Sequence, residues 1–150
     1  VTDWHIVAAQ IKAFDDRRAL VKAMRTAIRK PLPDIRKAIK KRATDTLPRR
    51  GGLGKWVAST RVNGSVQVNS RRVRMRVRGG RNSTGSRSDV KSIDRGRVRA
   101  PAWGRRGEND WHTQSVPPGF FTTPASDASD EVLGAIDDAV DLALDQLRRG

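Results

Sequence analysis

The chain predicts an α+β fold: a long kinked N-terminal helix, a small antiparallel β-sheet with extended loops, and a C-terminal amphipathic helix packed on the sheet. Three observations carry this. Apolar residues recur three and four apart over residues 7–47 and again over 132–147, two runs between residues 65 and 78 alternate strictly, and Gly, Pro and Asn mark the junctions. At 150 residues the chain has the size of one domain. Its expected division is a helical region over 1–48, sheet and loops over 53–122, and a closing helix over 123–149.

Val7, Ile11, Phe14, Val21, Met24 and Ile28 form the N-terminal stripe, with Arg18 the one gap and Lys12, Arg17, Lys22, Arg25 and Arg29 opposite. Pro31 and Pro33 interrupt it, because a proline removes a helical hydrogen bond and clashes with the preceding turn. Ile35, Ile39, Ala43 and Leu47 then resume an i, i+4 row. The region is therefore one long bent helix or two in series. Pro48 and the glycines of Gly51-Gly52-Leu53-Gly54 end it. Gly51 to Lys55 lacks the glycine-lysine-hydroxyl spacing of a phosphate loop, and no strand precedes it.

Trp56-Val57-Ala58 fits a strand or a short helix. Asn63-Gly64 predicts a tight turn ahead of the strand Ser65–Asn69, and Asn69-Ser70-Arg71 joins that strand to Arg72–Arg78 as a hairpin. The second strand turns Val73, Met75 and Val77 to the core and Arg72, Arg74, Arg76 and Arg78 to the other face. Four arginines two apart span about 20 Å of strand. Such a ladder suits a phosphate backbone, an acidic neighbour or an edge strand guarded by charge. Gly79, Gly80, Arg81, Gly85 and Arg87 belong to a stretch with nothing to pack, a flexible arm that orders against a partner. Residues 88–94 predict a short helical turn and 95–99 a third strand. Thr123-Pro124 predicts the start of the last helix, with Thr123 as cap. Val132, Leu133, Ile136, Val140, Leu144 and Leu147 form its stripe, and Asp137, Asp138, Asp141 and Asp145 its wet side.

The net charge of +15 is unevenly placed. Residues 1–48 carry 12 Lys/Arg against 5 Asp/Glu, residues 49–106 carry 17 against 2, and residues 107–150 carry 2 against 9. A basic body with an acidic C-terminal helix suits head-to-tail packing of copies, or else a solvated surface. Cysteine is absent, which excludes disulfides and thiolate metal sites. No apolar run reaches the roughly 20 residues of a membrane span, and the N-terminus lacks a signal peptide's apolar core. These features predict a soluble protein outside the usual secretory route.

Enzyme chemistry finds little support. His5 and His112 lie far apart in sequence with no metal-ligand spacing around either, and no nucleophile elbow accompanies the serines. The expectation is a non-enzyme without cofactor or metal. Residues 93–124 concentrate Trp103, Trp111, Phe120 and Phe121 among Gly, Pro and Arg, the composition of an ordered loop.

The order of motifs carries a family likeness. A basic helical region ends in Leu47-Pro48-Arg49-Arg50-Gly51-Gly52-Leu53. A small sheet follows, then Asp94-Arg95-Gly96-Arg97-Val98-Arg99-Ala100-Pro101-Ala102-Trp103-Gly104, Trp111, and Pro118-Gly119-Phe120-Phe121 leading into a closing helix. Over nearly its whole length this resembles the neck and tail-completion (head-to-tail connector) proteins of long-tailed bacteriophages of actinobacterial hosts. In that family a His usually precedes the proline; here Ala100 stands there, which speaks against a metal or catalytic role.

The resemblance implies a structural virion protein, assembled in the bacterial cytoplasm, that forms a ring in the neck between head and tail. Its partners would be its own copies, in rings of six by preference or of twelve, head-side connectors on one face, and tail-terminator or tail-tube proteins on the other. Phage DNA would pass through the channel, with no membrane and no small-molecule substrate involved. Trp103, Trp111, Phe120 and Phe121 would anchor the loop to the sheet or to the next subunit, with Arg97 and Arg99 beside them. The alternative is a sequence-independent nucleic-acid-binding protein using the Arg72–Arg78 face; an RNA-binding domain is disfavoured because the strands offer no exposed aromatics for base stacking.

Overall fold

The computed structural model describes residues 3–69, 71–79, 87–101 and 111–149. It is an α+β chain with helices α1 (Trp4–Ala13), α2 (Arg17–Ile28), α3 (Leu32–Thr46), α4 (Leu53–Ala58), α5 (Arg87–Asp94), α6 (Thr122–Asp127) and α7 (Ser129–Arg149). The strands are β1 (Val62–Asn69), β2 (Arg72–Gly79), β3 (Arg97–Pro101) and β4 (Trp111–Ser115), paired as β1–β2 and β3–β4. The chain forms two compact units, one of Val1–Asp34, Gly64–Val77 and Ala128–Gly150, the other of Ile35–Asn63 and Arg78–Asp127. Helix α3 and strands β1 and β2 each run from one unit into the other.

In the first unit, the N-terminal helical region bends at the expected prolines and also at Phe14. Phe14 is extended (φ −75°, ψ 132°) and closes α1, with its N–H donating to the Ile11 carbonyl. The break shifts the phase of the apolar stripe. Val7 and Ile11 are buried on α1, but on α2 the buried line is Leu20, Met24 and Ile28, with Val21 at its margin. The residue read as a gap in one stripe, Arg18, belongs to a second helix whose stripe starts at Leu20. Asp3 caps α1 by accepting from the His5 N–H at 2.9 Å. Pro33 falls in the first turn of α3, where a missing N–H costs nothing.

Helix α7 packs along α2 with Ala139 and Ala143 at the centre of the contact, both fully buried. Small residues there let the larger Ile136, Val140, Leu144 and Leu147 close around the line from either side. Leu133, expected in the buried stripe, is 57% exposed. It lies off the axis that the two alanines define. Val66, Val68, Val73 and Met75 of the β1–β2 hairpin join the same core, so the closing helix meets both the sheet and the N-terminal helices.

Asn63-Gly64 does not form the expected turn; both residues lie inside β1. A Cβ on Gly64 would stand 2.4 Å from Leu32 Cδ2. The glycine is there so that a leucine can press on the strand, a second use of Gly that local sequence cannot separate from a turn. Trp56-Val57-Ala58 resolves as helix, in α4, after a reversal at Gly51 and Gly52, both with positive φ.

In the second unit the buried hydrophobic residues include Ile35, Ile39 and Ala43 of α3, Leu47 just beyond its end, Val57, Val62, Val90, Ile93, Val116 and Phe120. Arg36 Nε donates to the Val62 carbonyl at 2.8 Å and Arg42 Nε to the Gly119 carbonyl at 3.1 Å, so two basic residues serve as internal struts. Thr60, buried at 4% exposure, donates its hydroxyl to the Val57 carbonyl at 2.7 Å. Among the described residues no buried side-chain polar atom lacks a partner.

Candidate subunit interface

The segment around Asp94 is built on one carboxylate. Asp94 Oδ1 accepts from the Phe121 N–H at 2.7 Å and from the Thr122 N–H at 3.2 Å. Its own carbonyl accepts from the Gly119 N–H at 2.8 Å, and the Gly96 carbonyl accepts from the Val116 N–H at 2.9 Å. Asp94 therefore caps α6 from 27 residues upstream, in place of the expected Thr123, and the helix begins at Thr122. The helix expected to run unbroken to residue 149 is also interrupted, at Ala128.

Gly96 (φ +86°) and Gly119 (φ +80°) flank this node. A Cβ on Gly96 would meet the Val116 carbonyl oxygen at 2.9 Å, and one on Gly119 the Thr123 Oγ1 at 2.6 Å. Both the backbone angle and the space require glycine at these two positions. The Asp94-Arg95-Gly96 and Pro118-Gly119-Phe120-Phe121 motifs are thus two halves of one clamp. Sequence reasoning noted the motifs but missed the role of Asp94. The available signal was a carboxylate immediately before a Gly turn, facing a helix start whose first N–H groups need an acceptor.

From this clamp extends the β3–β4 ribbon, with Arg97 opposite Ser115, Val98 opposite Gln114, Arg99 opposite Thr113 and Pro101 opposite Trp111. Residues 111–115, expected as loop, are a strand, and all five are exposed. Alternation puts Arg97, Arg99, Trp111, Thr113 and Ser115 on one face. The Arg99 guanidinium carbon lies 5.8 Å from the centroid of the Trp111 ring, whose residue is 39% exposed. On the opposite face His112 Nε2 and Gln114 Nε2 share a hydrogen bond at 2.9 Å.

The predicted interface residues therefore separate. Arg97, Arg99 and Trp111 are together and accessible. Phe120 is 1% exposed, and Phe121, half-buried, meets it edge-on with centroids 6.3 Å apart. Phe120 is core: its ring is spent inside the chain and cannot anchor a neighbour. Trp103 lies outside the described residues.

Along β2, Arg72 and Arg78 are exposed while Arg74 and Arg76 are half-covered, and Arg74 Nε donates to Gln67 Oε1 at 3.0 Å. The ladder is thus uneven, with its middle drawn against the hairpin. Of the expected arm, Gly79 closes β2 and Arg87 opens α5. A Cβ on Gly79 would stand 2.9 Å from Val90 Cγ1, so this glycine belongs to the packed structure. Gly80, Arg81 and Gly85 lie outside the described residues. Among the described residues no His, Asp or Glu cluster is arranged to hold a metal, and no helix is long and apolar enough to cross a membrane.

Comparison of the chain with family models, with curated proteins and with solved structures gives no match.

Proposed function

We propose that the chain is a structural subunit of a homo-oligomeric ring in the neck of a long-tailed bacteriophage, joining head-side connectors to the tail around the DNA channel. The observation that carries this reading is the β3–β4 ribbon. A two-stranded ribbon is at best marginal in water, and this one has a strand whose five residues all reach the surface, with an aromatic-cation pair on one face. Such an element is suited to completing its burial against another subunit, where Trp and Arg are the residues that most often dominate contact energy. The family likeness in sequence supplies the place, the virion neck. The clamp supports it further, since it gives the most specific motifs of that likeness one shared structural task. No catalytic role enters the reading.

The test is solution mass by light scattering across salt and protein concentration, repeated with Trp111→Ala. A ring-sized species that Trp111→Ala shifts toward monomer is the expected result. A chain that remains monomeric while binding duplex DNA, with affinity falling steeply as salt rises, would move the assignment to the nucleic-acid-binding alternative and its Arg72–Arg78 face.

A further inference from the structure

We infer that the outward face of α7 in one copy docks on the basic groove of α1 and α2 in the next copy. This rests on the ring reading above and names a contact that builds the ring. The groove has a volume of about 520 Å³ and a floor that includes Ala8, Ile11 and Val68. Trp4 walls one end, its ring fixed by the Nε1 donation to the Asn69 carbonyl at 3.0 Å. Along the α2 side stand Arg18, Val21 and Arg25, with Lys12 reaching in from α1. Arg18, Arg25 and Lys12 are exposed, and Val21 is half-buried. The surface is thus apolar at its centre and cationic along its rim.

Its complement is on α7. Asp130, Leu133 and Asp137 occupy positions i, i+3 and i+7, the same spacing as Arg18, Val21 and Arg25. Residues at that spacing share one helix face, about 10 Å from first to last at 1.5 Å per residue. One helix carries cation, apolar, cation; the other carries anion, apolar, anion. Leu133 is the most exposed large apolar residue on α7, at 57%, and a Cβ built on the adjoining Gly134 meets nothing within 4 Å. A leucine set between two carboxylates, beside a residue without a side chain, can enter a groove whose rim supplies the counter-charges.

The two faces cannot meet within one chain. Helices α2 and α7 already contact each other through Leu20, Met24, Ala139 and Ala143. At 100° per residue, Arg18 and Arg25 on one helix, and Asp130 and Asp137 on the other, point well away from that line. Asp137 and Asp141 border a hollow with Arg71 and Arg72 of their own chain, yet among the described residues they form no ion pair there. Contact between different patches of identical subunits is heterologous, and it closes as a ring when the rotation permits.

Charge reversal tests the contact. Arg18→Glu/Arg25→Glu and Asp130→Lys/Asp137→Lys alter exposed side chains, and circular dichroism would verify that each variant folds. Each alone should weaken association about tenfold or more, since attraction becomes repulsion at two points. An equimolar mixture should recover assembly, because alternating copies restore every contact in a ring of even number. As a second readout, Val21→Cys and Leu133→Cys chains should form a mixed disulfide when combined, with no native cysteine to compete. A wild-type ring indifferent to both reversals would overturn this contact and leave the ring reading standing. A wild-type chain that is monomeric at every concentration would overturn both, and crosslinking only between like cysteines would replace this contact with a symmetric one.

Discussion

The Asp94 carboxylate holds the start of α6 through two backbone N–H groups. It replaces two N–H groups' lost helical partners with one charged acceptor, and charge-assisted bonds of this kind are about twice as strong as neutral ones. Asp94→Ala should lower unfolding stability by about 1–3 kcal/mol, read by urea denaturation, and Asp94→Asn should cost less because one acceptor oxygen remains. Gly64 is the counterpart in the first unit. Gly64→Val sets a side chain into space held by Leu32 and should cost about 1–3 kcal/mol. Leu32→Ala in the same chain should recover part of that loss, and a double-mutant cycle measures the coupling directly.

The contact between α2 and α7 decides stability at the scale of elements. Met24 and Leu20 are buried at 0% and 1% exposure in the core that Ala139 and Ala143 share. Met24→Ala should therefore cost about 2–5 kcal/mol, toward the upper end if the cavity stays open, as thermal or chemical unfolding would measure. The ribbon behaves in the opposite way. Trp111→Ala removes a surface ring and its contact with Arg99 and should change the stability of the isolated chain by no more than about 1 kcal/mol. Its effect belongs to association, seen as a loss of oligomer at equal protein concentration. An unfolding experiment and a mass measurement on the same variant separate packing from docking.

Across the whole molecule, charge is arranged by segment: basic through residue 106 and acidic beyond it. Copies of such a chain attract through unlike patches while repelling in other orientations, so assembly should weaken as salt rises from about 0.05 to about 0.5 M, where the Debye length falls from roughly 14 to 4 Å, by an amount that Arg18→Glu/Arg25→Glu reduces. Sedimentation at the two salts checks this. The half-covered middle of the β2 ladder belongs to the same scale, because Arg74 is engaged by Gln67 and leaves Arg72 and Arg78 as the exposed cations of that face.

The class of fold, the hairpin of β1 and β2, the break at Pro31, the stop at Gly51-Gly52 and the existence of the closing helix are all legible in the residue pattern. Each follows from periodicity or from a residue whose backbone preference acts within a few positions. Packing between distant segments makes Asp94 and not Thr123 the cap of α6, sets Gly64 against Leu32 and not in a turn, and starts a new stripe on α2 at Leu20. It also decides that Phe120 is core while Trp111 is surface. The partners in these cases lie between 27 and 32 residues apart, or on a helix whose neighbour is more than 100 residues away. Local spacing records which face of an element is apolar; it holds no record of what that face will meet.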